Sequence, residues 1–411
     1  MEPVSVLEPG PATRQTFHRT PDMEAALIAK KISPSLTLAI DSRAKALKSE
    51  GKDICGFGAG EPDFDTPDHI KLAAAQALAE GFTKYTPSSG IPELRQAIAE
   101  KLRAENGLDY KPSQVIVSCG AKHSCYNALL ATCNPGDEVI VPAPYWVSYP
   151  EMVRLVGAEP YIVQTTAANG YKLTPDELQS AISPSTKMVI LNSPCNPTGS
   201  VYTENELAAL VEVALEDELF ILSDEIYEKI VYDGARHFSI ASMSKHVFEH
   251  TITVNGFSKA YSMTGWRLGY LAAPEAIARA VDSIQSHATS NPTSFAQKGA
   301  VAALRESQDW VADMVKTFSE RRAAMYQGLS SIEGVGCIKP SGAFYMLPDI
   351  SSFGMTSGQF CEALLDQAFV AAVPGSAFGE DRTIRLSYAC SNETIEKGIS
   401  RLKDFCARIK K

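Results

Sequence analysis

Short apolar runs alternate with helix-forming patterns through the first two-thirds of the chain, and this alternation limits the fold more than any other feature. The runs cover 114–118, 138–141, 188–191, 219–223, 251–255 and 268–272. Each is aliphatic or β-branched and bounded by turn residues, as strands buried on both faces are. Helix-start signals fall between them. Thr174-Pro175-Asp176-Glu177 offers an N-cap, a proline at the first helical position and a capping-box glutamate. Thr203 with Glu206 repeats the box ahead of the apolar stretch 207–215. Strands alternating with helices predict an α/β fold, with a mostly parallel sheet covered by helices on both faces. The last third reads differently. One long amphipathic helix over 310–329 precedes apolar segments at 342–347 and 383–388, with helices at 357–367 and 393–409. That pattern predicts a second, smaller α+β domain.

A chain of 411 residues has room for two such domains and a sizeable core. Its net charge of −10 argues against nucleic acid as a partner, because phosphate-backbone binding needs a basic surface. The nine cysteines are irregularly spaced and form no Cys-x-x-Cys pair. They read as reduced thiols in the cytoplasm rather than a disulfide framework or a zinc site. The seven histidines are scattered, so no metal site is expected. No apolar stretch is long enough to span a bilayer. Residues 1–22 lack a signal-peptide core, and Glu2, Glu8 and Asp22 fit a transit peptide poorly. A flexible lead is expected there.

In an open α/β sheet, ligands bind beyond the carboxyl ends of the strands. The residues that follow each run are therefore the place to look for chemistry. They are Cys119-Gly120-Ala121-Lys122, Pro144-Tyr145-Trp146, Asn192-Ser193-Pro194-Cys195-Asn196, Ser223-Asp224-Glu225-Ile226-Tyr227 and Gly256-Phe257-Ser258-Lys259. An amine, a carboxylate, a phenol, an amide and an indole converge on one sheet edge. Other signals are weaker. Gly56-Phe57-Gly58-Ala59-Gly60 lacks the third glycine of a dinucleotide fingerprint, and a turn is the better reading. Walker A, His-Glu-x-x-His and Gly-x-Ser-x-Gly motifs are absent.

The stretch from Ser258-Lys259-Ala260-Tyr261 through Thr264-Gly265-Trp266-Arg267-Leu268-Gly269-Tyr270 resembles the class I aminotransferases, which are fold-type I pyridoxal-phosphate enzymes. Asn196-Pro197-Thr198-Gly199, Asp224-Glu225-Ile226-Tyr227 and Arg385-Leu386-Ser387-Tyr388-Ala389 occur in the family's order. The resemblance runs from about residue 32 to the C-terminus. Ala59-Gly60-Glu61-Pro62-Asp63-Phe64 and Pro144-Tyr145-Trp146-Val147-Ser148-Tyr149-Pro150 are similar to bacterial aspartate aminotransferases whose relatives also accept prephenate. The implied architecture is a large cofactor-binding domain, 60–305, with a mostly parallel seven-stranded sheet. A small domain is built from 31–59 and 306–411, after a flexible lead over 1–30.

The resemblance also implies a role for each residue. Lys259 holds pyridoxal phosphate as a Schiff base and, once freed, moves the substrate's α-proton. Such an amine needs a lowered pKa, from burial and nearby positive charge. Asp224 pairs with the pyridine nitrogen, which keeps the ring an electron sink. Tyr227 and Asn196 bond the cofactor's phenolic oxygen, and Trp146 stacks on its ring. Ser258, Arg267 and the amides of Gly120 and Ala121 grip the phosphate. Gly256 stands where some relatives carry a phosphate-binding hydroxyl.

Arg385 clamps the substrate α-carboxylate, where Gly60 lets the backbone come close. Tyr85 resembles the tyrosine that family members lend to the partner subunit's phosphate, which implies a homodimer. In the subgroup this chain resembles, a lysine matching Lys122 contacts the distal carboxylate, and 286–289 holds no arginine of the kind other aspartate aminotransferases use there, so the resemblance makes Lys122 the candidate. Ser33 replaces the lysine that relatives carry before Pro34-Ser35. The expected reaction moves an amino group between aspartate or glutamate and a 2-oxo acid, with prephenate or arogenate also in range. Rival readings are a transaminase for aromatic or neutral amino acids, a lyase on the same fold, and a regulator's effector domain. The last would need a helix-turn-helix region that the first 30 residues are too short to hold.

Overall fold

The computed structural model describes residues 25–33 and 36–410. Residues 1–24 of the expected lead and the Pro34-Ser35 pair lie outside them, and Leu27–Lys31 forms a short helix. Seven strands build the large sheet. They are β1 (Val115–Ser118), β2 (Glu138–Ala143), β3 (Glu159–Gln164), β4 (Thr186–Asn192), β5 (Phe220–Asp224), β6 (Thr251–Gly256) and β7 (Gly269–Ala272). Their spatial order is β1-β7-β6-β5-β4-β2-β3. Only β7 runs antiparallel to its neighbours. Every predicted run is a strand. The sequence reading did not mark β3, a half-exposed edge strand whose short apolar stretch over 160–163 passed unremarked.

Alternate side chains of the same strands enter cores on opposite faces, as period-two geometry requires. Ile116, Val139, Val141, Ile190, Leu222 and Val254 pack under the helices Ala121–Thr132 and Glu275–Ala288. Ile140, Val189, Leu191 and Ile221 pack under Pro175–Ala181 and Glu204–Glu216. Both of these last helices begin with the predicted capping box, closed by Thr174 with Glu177 and Thr203 with Glu206.

The C-terminal part follows the long helix Asp309–Ser330. A small antiparallel sheet places β10 (Ile384–Ser387) between β8 (Tyr345–Met346) and β9 (Val373–Pro374). The helices Ser357–Ala368 and Asn392–Ile409 complete it. Cys55–Gly56 pairs in parallel with Val370–Ala371, so the chain's early segment joins its late one. Cys55, Phe57, Phe318, Phe360, Leu386 and Phe405 share one core with Ile226 and Tyr227 from the loop after β5. The small sheet is thereby tied to the carboxyl edge of the large one. Among the described residues no helix is long and apolar enough to cross a membrane.

Candidate active site

A cavity of about 540 Å³ opens where the carboxyl edge of the large sheet faces β10. Its walls come from the loops after β1, β2, β4, β5 and β6, which parallel strands necessarily bring to one edge. Gly60, Ala121, Lys122, Trp146, Asn196, Asp224, Tyr227, Ser258, Lys259, Arg267 and Arg385 all line it. Gly120 stands directly behind Arg267. Tyr85 lies outside this chain's own cavity and is 91% exposed.

Lys259 follows β6 at the cavity floor. Its Nζ donates to the Gly60 carbonyl and lies 5.7 Å from the Tyr227 ring centre. Burial, and then the nearby Arg385 guanidinium, pull its pKa down to about 8. Asp224 ends β5 and is buried. Its Oδ2 accepts from the Tyr149 hydroxyl at 2.6 Å and the Cys125 thiol at 3.9 Å, and its Oδ1 from the Ile226 amide at 3.2 Å. All three donors are neutral. Burial therefore outweighs them and lifts the carboxyl to about 6. This carboxylate is built to meet a positive charge inside the cavity.

Arg385 projects from β10 and is 3% exposed. Its Nη1 donates to Asn196 Oδ1 at 3.0 Å and its Nη2 to the Gly58 carbonyl at 2.8 Å, while Nε is buried without a partner. Tyr345 and Phe378 flank the guanidinium at 4.4 and 4.9 Å. Burial pushes its pKa down. A buried guanidinium whose acceptors are all neutral suits an incoming carboxylate.

The helix Ala121–Thr132 starts at the cavity wall. Arg267 bridges to it, donating to the carbonyls of Cys119 at 3.2 Å and Thr264 at 3.1 Å. Two glycines make this approach feasible. A Cβ on Gly120 (φ +90°) would sit 2.4 Å from Arg267 Nη2, and one on Gly269 would sit 2.2 Å from the Ala121 amide nitrogen. The helix N-terminus, Arg267 and Ser258 line the same cavity, a cradle of donors and positive charge that would suit an anion. Gly256 has no room for a side chain, because its Cβ would meet the Gly269 Cα at 2.9 Å. Lys122 Nζ lies over the Trp146 ring at 4.9 Å. Burial, and then Arg267, lower the Lys122 pKa.

The family model for aminotransferase class I and II matches residues 52–402. The chain belongs to that family. It is 50% identical over 381 residues to an aspartate aminotransferase of Bacillus sp. strain YM-2, covering 92% of this chain and 97% of that one. It is 48% identical over 388 residues to an aspartate/prephenate aminotransferase of Cereibacter sphaeroides, covering 92% and 97%. The solved Thermus thermophilus aspartate aminotransferase with maleate superposes with a TM-score of 0.90 at 43% identity, covering 94% and 100%. Members of the family are pyridoxal-phosphate enzymes, and the architecture of this aminotransferase is fold type I.

Sequence reasoning about individual roles passed over several residues of the cavity. Tyr345 hydrogen-bonds Tyr227, hydroxyl to hydroxyl, at 2.8 Å. Tyr149 supplies the shortest bond to Asp224. Asn192, Glu61, Thr264 and Lys45 also line the wall. Tyr149 and Tyr345 sit in segments marked only as a motif and an apolar run, and only the fold shows which way their hydroxyls turn.

Proposed function

We propose that this aminotransferase moves an amino group between aspartate or glutamate and a 2-oxo acid, with prephenate or arogenate also accepted, using pyridoxal phosphate held on Lys259. One observation carries the reading. A depressed lysine amine, a buried carboxylate with only neutral partners and a buried guanidinium with only neutral partners face one cavity.

These residues fit the cofactor. Asp224 would pair with a protonated ring nitrogen, Tyr227 and Asn196 would bond its phenolic oxygen, and Trp146 would cover a ring face. Ser258, Arg267 and the amides of Gly120 and Ala121 would hold its phosphate. Bound there, pyridoxal phosphate supplies the electron sink for the pair left when the substrate's Cα–H bond breaks. The chain's own groups do the rest. Arg385 binds the α-carboxylate through its guanidinium fork and so orients the Cα–H bond. Lys259 Nζ, as the free amine, takes the proton from Cα and can return it. Tyr345 holds the Tyr227 hydroxyl in place. Lys122, on the cavity wall, would meet a distal carboxylate, and a Thermus relative solved with maleate, a dicarboxylate, supports that reading.

We read the division of labour as a large part, 60–305, carrying the cofactor residues, and a small part, 31–59 with 306–411, carrying Arg385. Homodimerisation is part of the proposal. Tyr85, with exposed Leu72 and Leu78 nearby in the chain, would reach the partner's phosphate site. A cytoplasmic location is supported by nine cysteines that are all free. The test is a set of half-reactions. Aspartate, glutamate, an aromatic amino acid and arogenate are added separately to the yellow holoenzyme, and the cofactor's visible absorbance is followed. Aspartate and glutamate should bleach it. No response to either would overturn the dicarboxylate assignment.

A further inference from the structure

The amino edge of the parallel sheet, opposite the cavity, also gathers chemistry-bearing side chains. His246 and His250 lie one turn apart on the helix Lys245–His250, which leads into β6. Glu218 stands in the turn before β5, held at φ +52°, a left-handed conformation uncommon for a residue with a side chain. The three groups offer ligand atoms that all lie within 4.8 Å of one another. The two imidazoles meet edge to face, with centroids 4.5 Å apart and planes at 72°.

The hydrogen bonds of His250 make the cluster informative. Its Nδ1 lies 2.9 Å from the His246 carbonyl oxygen, and its Nε2 lies 2.8 Å from Glu218 Oε2. A carbonyl oxygen only accepts, so Nδ1 carries a proton. In the neutral imidazole this leaves the Nε2 lone pair facing a carboxylate. Two acceptors at that distance repel unless a positive charge stands between them. A proton is one solution, and a metal ion is the other. An Nδ1–H held by a backbone carbonyl is also the second contact that fixes a metal-ligating imidazole.

We propose that Glu218, His246 and His250 form a site for an imidazole-preferring divalent transition cation of the zinc and nickel class, with water completing its shell. Two imidazoles and one carboxylate suit that class, whereas calcium and magnesium favour oxygen-only sets. Metal–ligand bonds of about 2.0–2.2 Å make the 2.8 Å His250–Glu218 separation close to one edge of a coordination polyhedron. The exposed His246 ring is free of core packing and can rotate to close the remaining gap. The bound ion would tie the helix end to the turn entering β5. Glu225, Glu228 and His237 form a second group of similar spacing. There the Lys101 ammonium already neutralises Glu228, so that group is a buried ion network and not a cation site.

The test is calorimetric titration of nickel chloride into the tag-free, full-length holoenzyme. One saturable equivalent is expected in the wild type. His246→Ala and Glu218→Gln each change an exposed side chain far from the cavity. Each should weaken uptake by at least about tenfold while leaving transamination unchanged. No saturable uptake in the wild type, or uptake undiminished in either variant, overturns the site. Neither result bears on the transaminase reading, which the half-reactions test separately.

Discussion

Replacing Arg385 tests the proposed substrate geometry most directly. Among the described residues its guanidinium gives hydrogen bonds only to the neutral oxygens of Asn196 and Gly58. A substrate α-carboxylate would add two charge-assisted bonds in a fork geometry. Each is worth about 1.5–3 kcal/mol when a charged group takes part. Arg385→Met removes both, for a gross loss of about 3–6 kcal/mol. Water entering the cavity would return part of this, so we expect about 3–4 kcal/mol, or roughly 150- to 1,000-fold in kcat/KM for aspartate. Arg385→Lys keeps the charge but not the fork and should lose about ten- to thirtyfold. The carboxylate is held in the ground state and the transition state alike, so most of the loss should appear in KM. Steady-state transamination of aspartate with 2-oxoglutarate measures both parameters. A half-reaction with an amine lacking the α-carboxylate provides the control. If the variants lose as much rate with that amine, or if kcat falls with KM unchanged, Arg385 does not clamp the substrate.

The site and its scaffold carry further expectations. Lys259 must be a free amine to capture the cofactor, and that form exists above its pKa of about 8. Cofactor capture by the apoprotein, followed by stopped flow, should therefore speed up about tenfold between pH 7 and 9 and level off above, and a rise of about a hundredfold, as for an amine at the ordinary value of 10.5, would contradict the lowered pKa. Gly269→Ala drives a Cβ to within 2.2 Å of the Ala121 amide. It should displace the helix N-terminus and weaken cofactor affinity in an equilibrium titration by at least about tenfold, and unaltered affinity would refute the cradle. Lys101→Met strands the Glu228 carboxylate, which is 8% exposed, and should cost about 3–5 kcal/mol of stability. In a denaturant titration Lys101→Met/Glu228→Leu should recover much of that loss, and a double variant no better than the single would refute the pairing. Burial opposes the Glu228 charge, but Lys101 and His237 outweigh it and hold the carboxyl down at about 2. The folded pKa lies below the ordinary value of 4.5, so this stabilisation is present above about pH 4.5 and fades as pH falls towards 2. The denaturant midpoint of the double variant should therefore fall less steeply with decreasing pH in that window than that of the wild type.

How much of this was legible from the residues alone depended on the kind of information each feature needs. Strands buried on both faces show as continuous apolar runs, so β1, β2, β4, β5, β6 and β7 could be read directly, whereas the apolar stretch of the edge strand β3, over 160–163, is short and half-exposed and was passed over. The site followed from topology. Once the strands are parallel, the residues after each of them share one edge, so Asp224, Asn196 and Lys259 had to meet. Arg385 needed the motif resemblance, since nothing local in Thr383-Ile384-Arg385 distinguishes a substrate clamp from a surface arginine. Tyr345 and Tyr149 lay beyond both kinds of reading. Their importance rests on where a hydroxyl points after two chain segments pack, 118 residues apart for Tyr345 with Tyr227 and 75 for Tyr149 with Asp224. The same holds for Glu218 with His246 and His250. The histidines looked scattered in sequence because helix spacing and a distant turn, not local pattern, bring the three ligand atoms together.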